Sequence, residues 1–279
     1  MRFESTDSYI ATEDLRVAVN AAAVLERPLL IKGEPGTGKT VLAHEVARSL
    51  EMPLIEWHVK STTTAQQGLY EYDAVARLRD SQLGDARVHD IANYIVKGKM
   101  WEAFESAERT VLLIDEIDKA DEEFEALLLE ILSDFQISIP EIGTIVATVK
   151  PLVFLTSNNT REMSDALKRR CLHLHIAFPD RKTEAQIVAA RVPQVPEALN
   201  DQLVRFVQAL RALDLRKSPS VAETIDWART LLLMHAKDLN GELVRDTLNV
   251  LLNFEDDIDA ADRAMPELLR HASGAVMTP

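Results

Sequence analysis

Gly33-Glu34-Pro35-Gly36-Thr37-Gly38-Lys39-Thr40 constrains the fold of this chain more than any other segment. The segment fits GxxxxGK[ST], with an apolar run from Leu29 to Lys32 before it and a helical pattern from Lys39 to Leu50 after it. Strand, glycine-rich turn and helix in that order make a phosphate-binding loop. The glycines let backbone N–H groups and the helix N-terminus face phosphate oxygens. Lys39 supplies a point charge to the β and γ groups of a nucleotide, and Thr40 a hydroxyl to Mg²⁺. Gly33, Glu34, Pro35, Gly36, Thr37, Gly38, Lys39, Thr40 and Val41 are therefore the candidate nucleotide-binding residues. The competing reading is a glycine-rich βα turn that holds no ligand.

Further short apolar runs follow: Leu54 to Val59, Val111 to Ile114, Leu152 to Thr156 and Leu172 to Phe178. Most are continuous rather than alternating, the pattern of strands covered on both faces. Helical patterns lie between them. In Asp121 to Phe135 the residues Phe124, Leu127, Leu128, Ile131, Leu132 and Phe135 form one stripe. Thr12, Glu13 and Asp14 read as an N-cap with an acidic first turn, before an apolar face of Leu15, Ala18, Val19, Ala22 and Ala23. The succession predicts an α/β sandwich with a parallel sheet. After Pro179 only helices are expected: Lys182 to Arg191, Glu197 to Leu213, Val221 to Ala236, Glu242 to Phe254 and Asp262 to His271. The expected domains are 1–180, an α/β nucleotide-binding core, and 181–279, a small all-helical domain.

Hydrophobic residues make up 47% and charged residues 27% of the chain, which excludes disordered and fibrous classes. No apolar run approaches the roughly 20 residues that span a bilayer. The segment Met1 to Tyr9 is polar and lacks the basic and apolar parts of a leader. The single cysteine, Cys171, makes no internal disulfide and reads as a packing residue. A cytoplasmic location is expected. The net charge of −14 disfavours a general nucleic-acid binder, because neutralising phosphates needs clustered Lys and Arg, so protein is the expected partner.

The run Val111-Leu112-Leu113-Ile114-Asp115-Glu116 is an apolar strand ending in two carboxylates. An acid at the end of a parallel strand beside the phosphate loop reaches the nucleotide's Mg²⁺. Asp115, with Thr40, is accordingly the candidate metal residue, and Glu116 the group that orients or deprotonates the attacking water.

Together with a third strand ending Leu155-Thr156-Ser157-Asn158, these motifs resemble an AAA+ ATPase. The resemblance implies that Asn158 is the sensor of the γ-phosphate or the water; a strand-end cap is the other reading. In similar ATPases an arginine at the position of Asp165-Ala166-Leu167-Lys168-Arg169-Arg170-Cys171 reaches the neighbouring subunit's site. Arg170 is the candidate, with Arg169 as the second choice, and a basic helix end complementing its dipole as the alternative. A kinase or GTPase fits less well, since neither a base-recognition motif nor an acceptor site is evident.

Gln67 to Asp73 and Tyr94 to Phe104 are similar to the insertion that interrupts the second core helix in the MoxR branch, here about 61–100. The alternating segment Gln136 to Lys150, turning at Glu141 to Thr144, resembles that superclade's pre-sensor hairpin, about 136–150. Both insertions would face the pore or one face of the ring. Taken singly, Tyr70, Tyr72, Tyr94, Trp101 and Phe104 read as packing residues. Many MoxR proteins carry Ser-Pro-Arg in the helical lid, whereas this chain has Ser218-Pro219-Ser220. Either Arg216, Lys217 or Arg229 substitutes, or the lid brings no sensor charge. The run Lys217 to Glu223 with Ile225-Asp226-Trp227-Ala228 looks like the subgroup associated with maturation of molybdenum-containing carbon monoxide dehydrogenases. The resemblance implies a hexameric ring, a partner bearing a von Willebrand factor A domain, and a client protein, a metalloenzyme. The alternatives are a DNA-directed motor or loader and a non-hydrolysing nucleotide-dependent scaffold. His173 and His175 share one side of the last strand; with no further ligand in sight, strand packing is expected rather than a metal site.

Overall fold

The computed structural model describes all residues except Met1, Asp7, Ser8, Glu141 and 275–279, and the side chain of Ala65. Two compact units are present. The first comprises Met1–Glu4, Thr12–Gly33 and Lys39–His175; the second comprises Ser5–Ala11, Glu34–Gly38 and Ile176–Pro279.

The first unit opens with α1 (Glu13–Leu25), β1 (Leu29–Gly33), α2 (Lys39–Ser49) and β2 (Leu54–His58). There follow β3 (Tyr70–Tyr72), α3 (Ala74–Gln82), β4 (Ile95–Lys97) and α4 (Lys99–Glu105). The core resumes with β5 (Val111–Asp115), α5 (Glu122–Asp134), the hairpin β6 (Gln136–Ile139) and β7 (Gly143–Val146), β8 (Leu152–Ser157), α6 (Asp165–Arg170) and β9 (Leu172–Ile176). The five core strands form one parallel sheet in the order β2-β5-β8-β1-β9. All five residues of β5 and all six of β8 are buried, which is why these runs are continuously apolar.

Strands β6 and β7 pair antiparallel, with Ile137 opposite Ile145, and Glu141 of the expected turn lies outside the described residues. In α5 the side chain of Asp121 accepts from the Phe124 N–H at 2.8 Å, an N-cap that fixes the helix start. Phe124, Leu128, Ile131, Leu132 and Phe135 of the expected stripe are buried. Thr12 precedes α1 as expected, but its side chain makes no capping bond. Tyr70, Trp101 and Phe104 are buried in the core, the packing role expected of them singly, and Tyr94 is buried with its hydroxyl donating to Asp80 Oδ2 at 3.0 Å.

Three expectations need correction. The last strand stops at Ile176, two residues short of Phe178. The final helix begins at Glu255 rather than Asp262, because Glu255, Asp256 and Asp257 supply an acidic first turn that complements the helix N-terminus. His173 and His175 are exposed rather than packed, while Leu174 between them is buried. Among the described residues no cluster of three metal-ligating side chains occurs.

The second unit holds α7 (Arg181–Arg191), α8 (Glu197–Arg211), α9 (Val221–Leu233), α10 (Gly241–Leu251) and α11 (Glu255–Ala272), and no described strand follows β9. Its core gathers around Phe206 and Trp227, whose ring centroids lie 5.3 Å apart. Trp227 donates its Nε1–H to Thr247 Oγ1 at 2.8 Å. A buried ion pair crosses this core: Arg211 grips both oxygens of Glu184, Nη1 to Oε2 and Nη2 to Oε1, at 2.7 Å each. Gln208 and Thr224 donate to the same carboxylate at 2.6 Å and 3.0 Å. Removing one partner leaves a buried charge uncompensated, so Arg211→Ala should lower unfolding stability by about 3–5 kcal/mol. Denaturant melts check this, and a loss below ~1 kcal/mol would show that the pair is solvated rather than structural.

Candidate nucleotide-hydrolysing site

The carboxyl ends of β1, β5 and β8 converge because these strands are parallel and adjacent, with β8 between the other two. Ligands bind at such ends. Here the three strands deliver the phosphate-loop residues, Asp115 with Glu116, and Asn158.

The loop after β1 needs glycine twice, since Gly36 and Gly38 have φ of +73° and +90°. Thr37 Oγ1 donates to the Glu34 carbonyl at 2.8 Å and closes the turn. Lys39, 6% exposed, donates from Nζ to the Gly33 carbonyl at 2.8 Å. Thr40 Oγ1 lies 3.1 Å and 3.2 Å from the two carboxylate oxygens of Asp115, so the two candidate metal residues are in direct contact. One hydroxyl and one carboxylate, both hard oxygen donors, suit Mg²⁺, which is held by few protein groups and keeps waters and phosphate oxygens as its other ligands. Val41, the last of the predicted loop residues, is exposed on α2.

Two residues that sequence reasoning left without a role organise the acids. Thr156 on β8 donates its hydroxyl to Asp115 Oδ1 and accepts the Glu116 N–H at 2.9 Å. His58, directly opposite Asp115 on β2, places Nδ1 3.2 Å from Asp115 Oδ2. Both follow from the register of neighbouring strands, which a single sequence does not display.

Glu116 sits in the left-handed region at φ 60°, which turns its side chain out of the strand direction at a cost in backbone strain. Asn158 Nδ2 donates to Glu116 Oε1 at 3.2 Å, and Lys119 forms an ion pair with Oε2. The structure thus joins the candidate sensor to the candidate water-activating acid.

Asp118 is a third residue that sequence reasoning missed, although it stands in the same Asp-Glu-Ile-Asp run. Its carboxylate accepts the Asn158 N–H at 3.2 Å and the Thr160 N–H at 3.1 Å, together with the Thr160 hydroxyl. Burial pushes this carboxyl up, but the bonds from Thr160 and Asn158 outweigh burial and hold it below the usual carboxylate range. A depressed folded value means stability that is present above the unfolded value of about 4 and is lost as pH falls through the folded one. Asp118→Asn should cost about 1–3 kcal/mol at neutral pH and lower turnover by loosening Asn158. The stability difference from wild type should shrink in acid; melts at neutral and acid pH would reject the assignment if the difference were pH-independent.

Arg169 and Arg170 are exposed at the end of α6, and among the described residues neither guanidinium has a hydrogen-bond or ionic partner. Cys171 beside them is buried, and burial pushes its thiol up to about 12, so it is no nucleophile.

The three cations of the helical region expected as substitutes for the usual arginine are each engaged. Arg216 stacks 4.1 Å from the Phe254 centroid, Lys217 pairs with Glu223 at 2.8 Å, and Arg229 pairs with Asp226 at 2.9 Å. Within the second unit, Ser220 caps α9, and a Cβ built on Gly36 would fall 2.4 Å from its Oγ.

Residues 28–171 match the AAA domain family, dynein-related subfamily. The chain belongs to that family. ATP hydrolysis is the activity that membership carries. The chain is 28% identical over 199 residues to the gas vesicle ATPase GvpN of Haloferax mediterranei, a match that covers 66% of this chain and 56% of that protein. It therefore spans little more than half of that relative's length. It is 26% identical over 280 aligned positions to RuvB of Thermotoga maritima, a Holliday junction branch migration complex subunit, with 94% of this chain and 73% of that protein covered. A solved structure of the T. maritima RuvB branch migration motor has a TM-score of 0.55 to this chain at 21% identity, covering 96% of this chain and 79% of that one. At that identity the likeness is one of fold.

Proposed function

We propose that this AAA-family member is a MoxR-type ATPase that hydrolyses ATP in a ring, by resemblance a hexamer, to remodel, mature or activate a client protein. The observation that carries the catalytic part is the connected cluster Thr40, Asp115, Thr156, Glu116 and Asn158 at adjoining strand ends. Lys39 binds the β and γ phosphates in this reading. Thr40 and Asp115 would hold a Mg²⁺ ion, which would supply charge neutralisation on the transferring phosphoryl group. Glu116 orients the attacking water and accepts its proton, Asn158 fixes Glu116, and Arg170 of one subunit completes the site of the next. In this reading residues 181–279 form the helical lid domain of the resemblance.

The MoxR-like insertion and hairpin, and the acidic balance of −14, support a protein client over nucleic acid. On the resemblance, that client is a metalloenzyme, of the molybdenum-containing carbon monoxide dehydrogenase type, and the partner carries a von Willebrand factor A domain. A cytoplasmic site of action accords with this reading, and no described helix is long and apolar enough to cross a membrane. A DNA-directed motor is the second reading, favoured by the RuvB relatives, whose name records branch migration. A non-hydrolysing scaffold is disfavoured by the presence of Lys39, Asp115 and Glu116 together.

The test is to purify Glu116→Gln protein with Mg·ATP from its native cells and identify what remains bound. A metalloenzyme or a von Willebrand factor A protein supports the first reading. Retained nucleic acid, with turnover stimulated by DNA and a steep salt dependence, would replace it with the second.

A further inference from the structure

We propose that Arg27 is the positioning residue for the arginine that acts across the subunit interface, an inference that rests on the ring reading above. Arg27 lies between α1 and β1, and its backbone is fixed by its own N–H donating to the Ala22 carbonyl at 3.3 Å. From there its side chain reaches 142 to 144 residues along the sequence to the end of α6. Nε donates to the Arg170 carbonyl at 3.2 Å, and Nη2 donates to the carbonyls of Arg169 at 2.8 Å and Cys171 at 3.2 Å. One guanidinium thus holds three consecutive carbonyls, the groups that a helix end leaves without intrahelical partners. The next pairing is also anchored here, since the Leu172 N–H donates to the Pro28 carbonyl at 2.8 Å.

This arrangement separates two jobs. If Arg169 and Arg170 served to complement the helix end, their own side chains or water would face those carbonyls; Arg27 already occupies them. Lys168, one residue earlier, is paired with Glu162 at 2.7 Å and Asp165 at 3.2 Å. Arg169 and Arg170 are exposed without such partners among the described residues. The guanidinium groups of Arg27, Arg169 and Arg170 therefore gather at the end of α6, and among the described residues no acid pairs with any of them, in a chain of net charge −14. Such uncompensated charge, displayed from a clamped backbone, is suited to an external anion, and the phosphates in a second copy's nucleotide site supply one. Arg fits the clamp because its planar fork spans several acceptors, which the point charge of Lys does not.

The test uses full-length assembled protein and reads kcat, KM, and the affinity for a fluorescent ATP analogue. Arg27→Ala should lower kcat by about 10²-fold, the scale of an ~1 Å misplacement, with nucleotide affinity unchanged. Added to Arg170→Ala, it should cause no further loss, since the residue it positions is gone. Mixing Arg27→Ala with Glu116→Gln subunits, whose own Arg27 and Arg170 are intact, should restore turnover in the Arg27→Ala pockets. If Arg27→Ala fails to fold by circular dichroism, Arg27→Gln, which keeps a single amide NH₂ in place of the guanidinium fork, is the variant to read, and wild-type kcat there overturns the proposal. Wild-type kcat in Arg27→Ala beside a crippled Arg170→Ala overturns the positioning role and leaves the interface arginine standing. Additive losses, or no restoration on mixing, also overturn it. Wild-type turnover in both Arg169→Ala and Arg170→Ala removes the ring reading itself.

Discussion

Glu116→Gln should bind Mg·ATP about as tightly as wild type and hydrolyse it about 10²- to 10⁴-fold more slowly, the usual worth of a positioned general base. The side chain keeps its length, so contacts with Asn158 and Lys119 can persist in part, and the backbone bond from residue 116 to Thr156 is unaffected. What disappears is the proton-accepting carboxylate. Steady-state turnover together with nucleotide binding checks this: kcat should fall while KM stays level or drops. Unimpaired hydrolysis would mean that another group handles the water, and the chain from Asn158 to Glu116 would then be structural.

Arg170→Ala is expected to have the larger effect, about 10³- to 10⁵-fold in kcat, if its guanidinium stabilises the phosphoryl charge in a neighbour's site. The variant's own phosphate loop, Thr40, Asp115 and Glu116 are untouched, so a purely local role predicts ordinary turnover. The deciding measurement is mixing with Glu116→Gln subunits, each variant inactive by itself. Activity that reappears only in the mixture shows a site built from two subunits; no mixed-assembly effect would return Arg170 to the role of a basic helix end. Arg169→Ala, measured in parallel, decides which of the two exposed arginines reaches the phosphate.

The core of the fold was legible because its signals are local. Leu29 to Lys32, the glycine loop and the helix from Lys39 follow one another in sequence, and each buried strand shows as an apolar run. Thr40 and Asp115 were each marked as a magnesium residue by their own motifs, and the structure puts them in contact. Thr156, His58 and Arg27 were not legible in the same way, because their partners are set by strand order and register: Thr156 meets Asp115 across two paired strands, and Arg27 meets the end of α6 through the β1–β9 edge of the sheet. Asp118 was within reach of sequence reasoning, but its role depends on where residues 158 to 160 return. The error at Glu255 has a different origin: the expected helix began at Asp262, and the three consecutive acids before it show their part only once they are placed at a helix N-terminus.

One carboxylate deserves care in any mutational dissection. Asp115 receives hydroxyls from Thr40 and Thr156 and faces the imidazole of His58, so it ties together a helix and two flanking strands in addition to its proposed part in holding a cation. Deleting it with alanine would therefore unfasten the local scaffold and empty the ion seat in a single stroke. Only an isosteric amide, read beside thermal melts, can tell a lost counter-ion from a slackened framework.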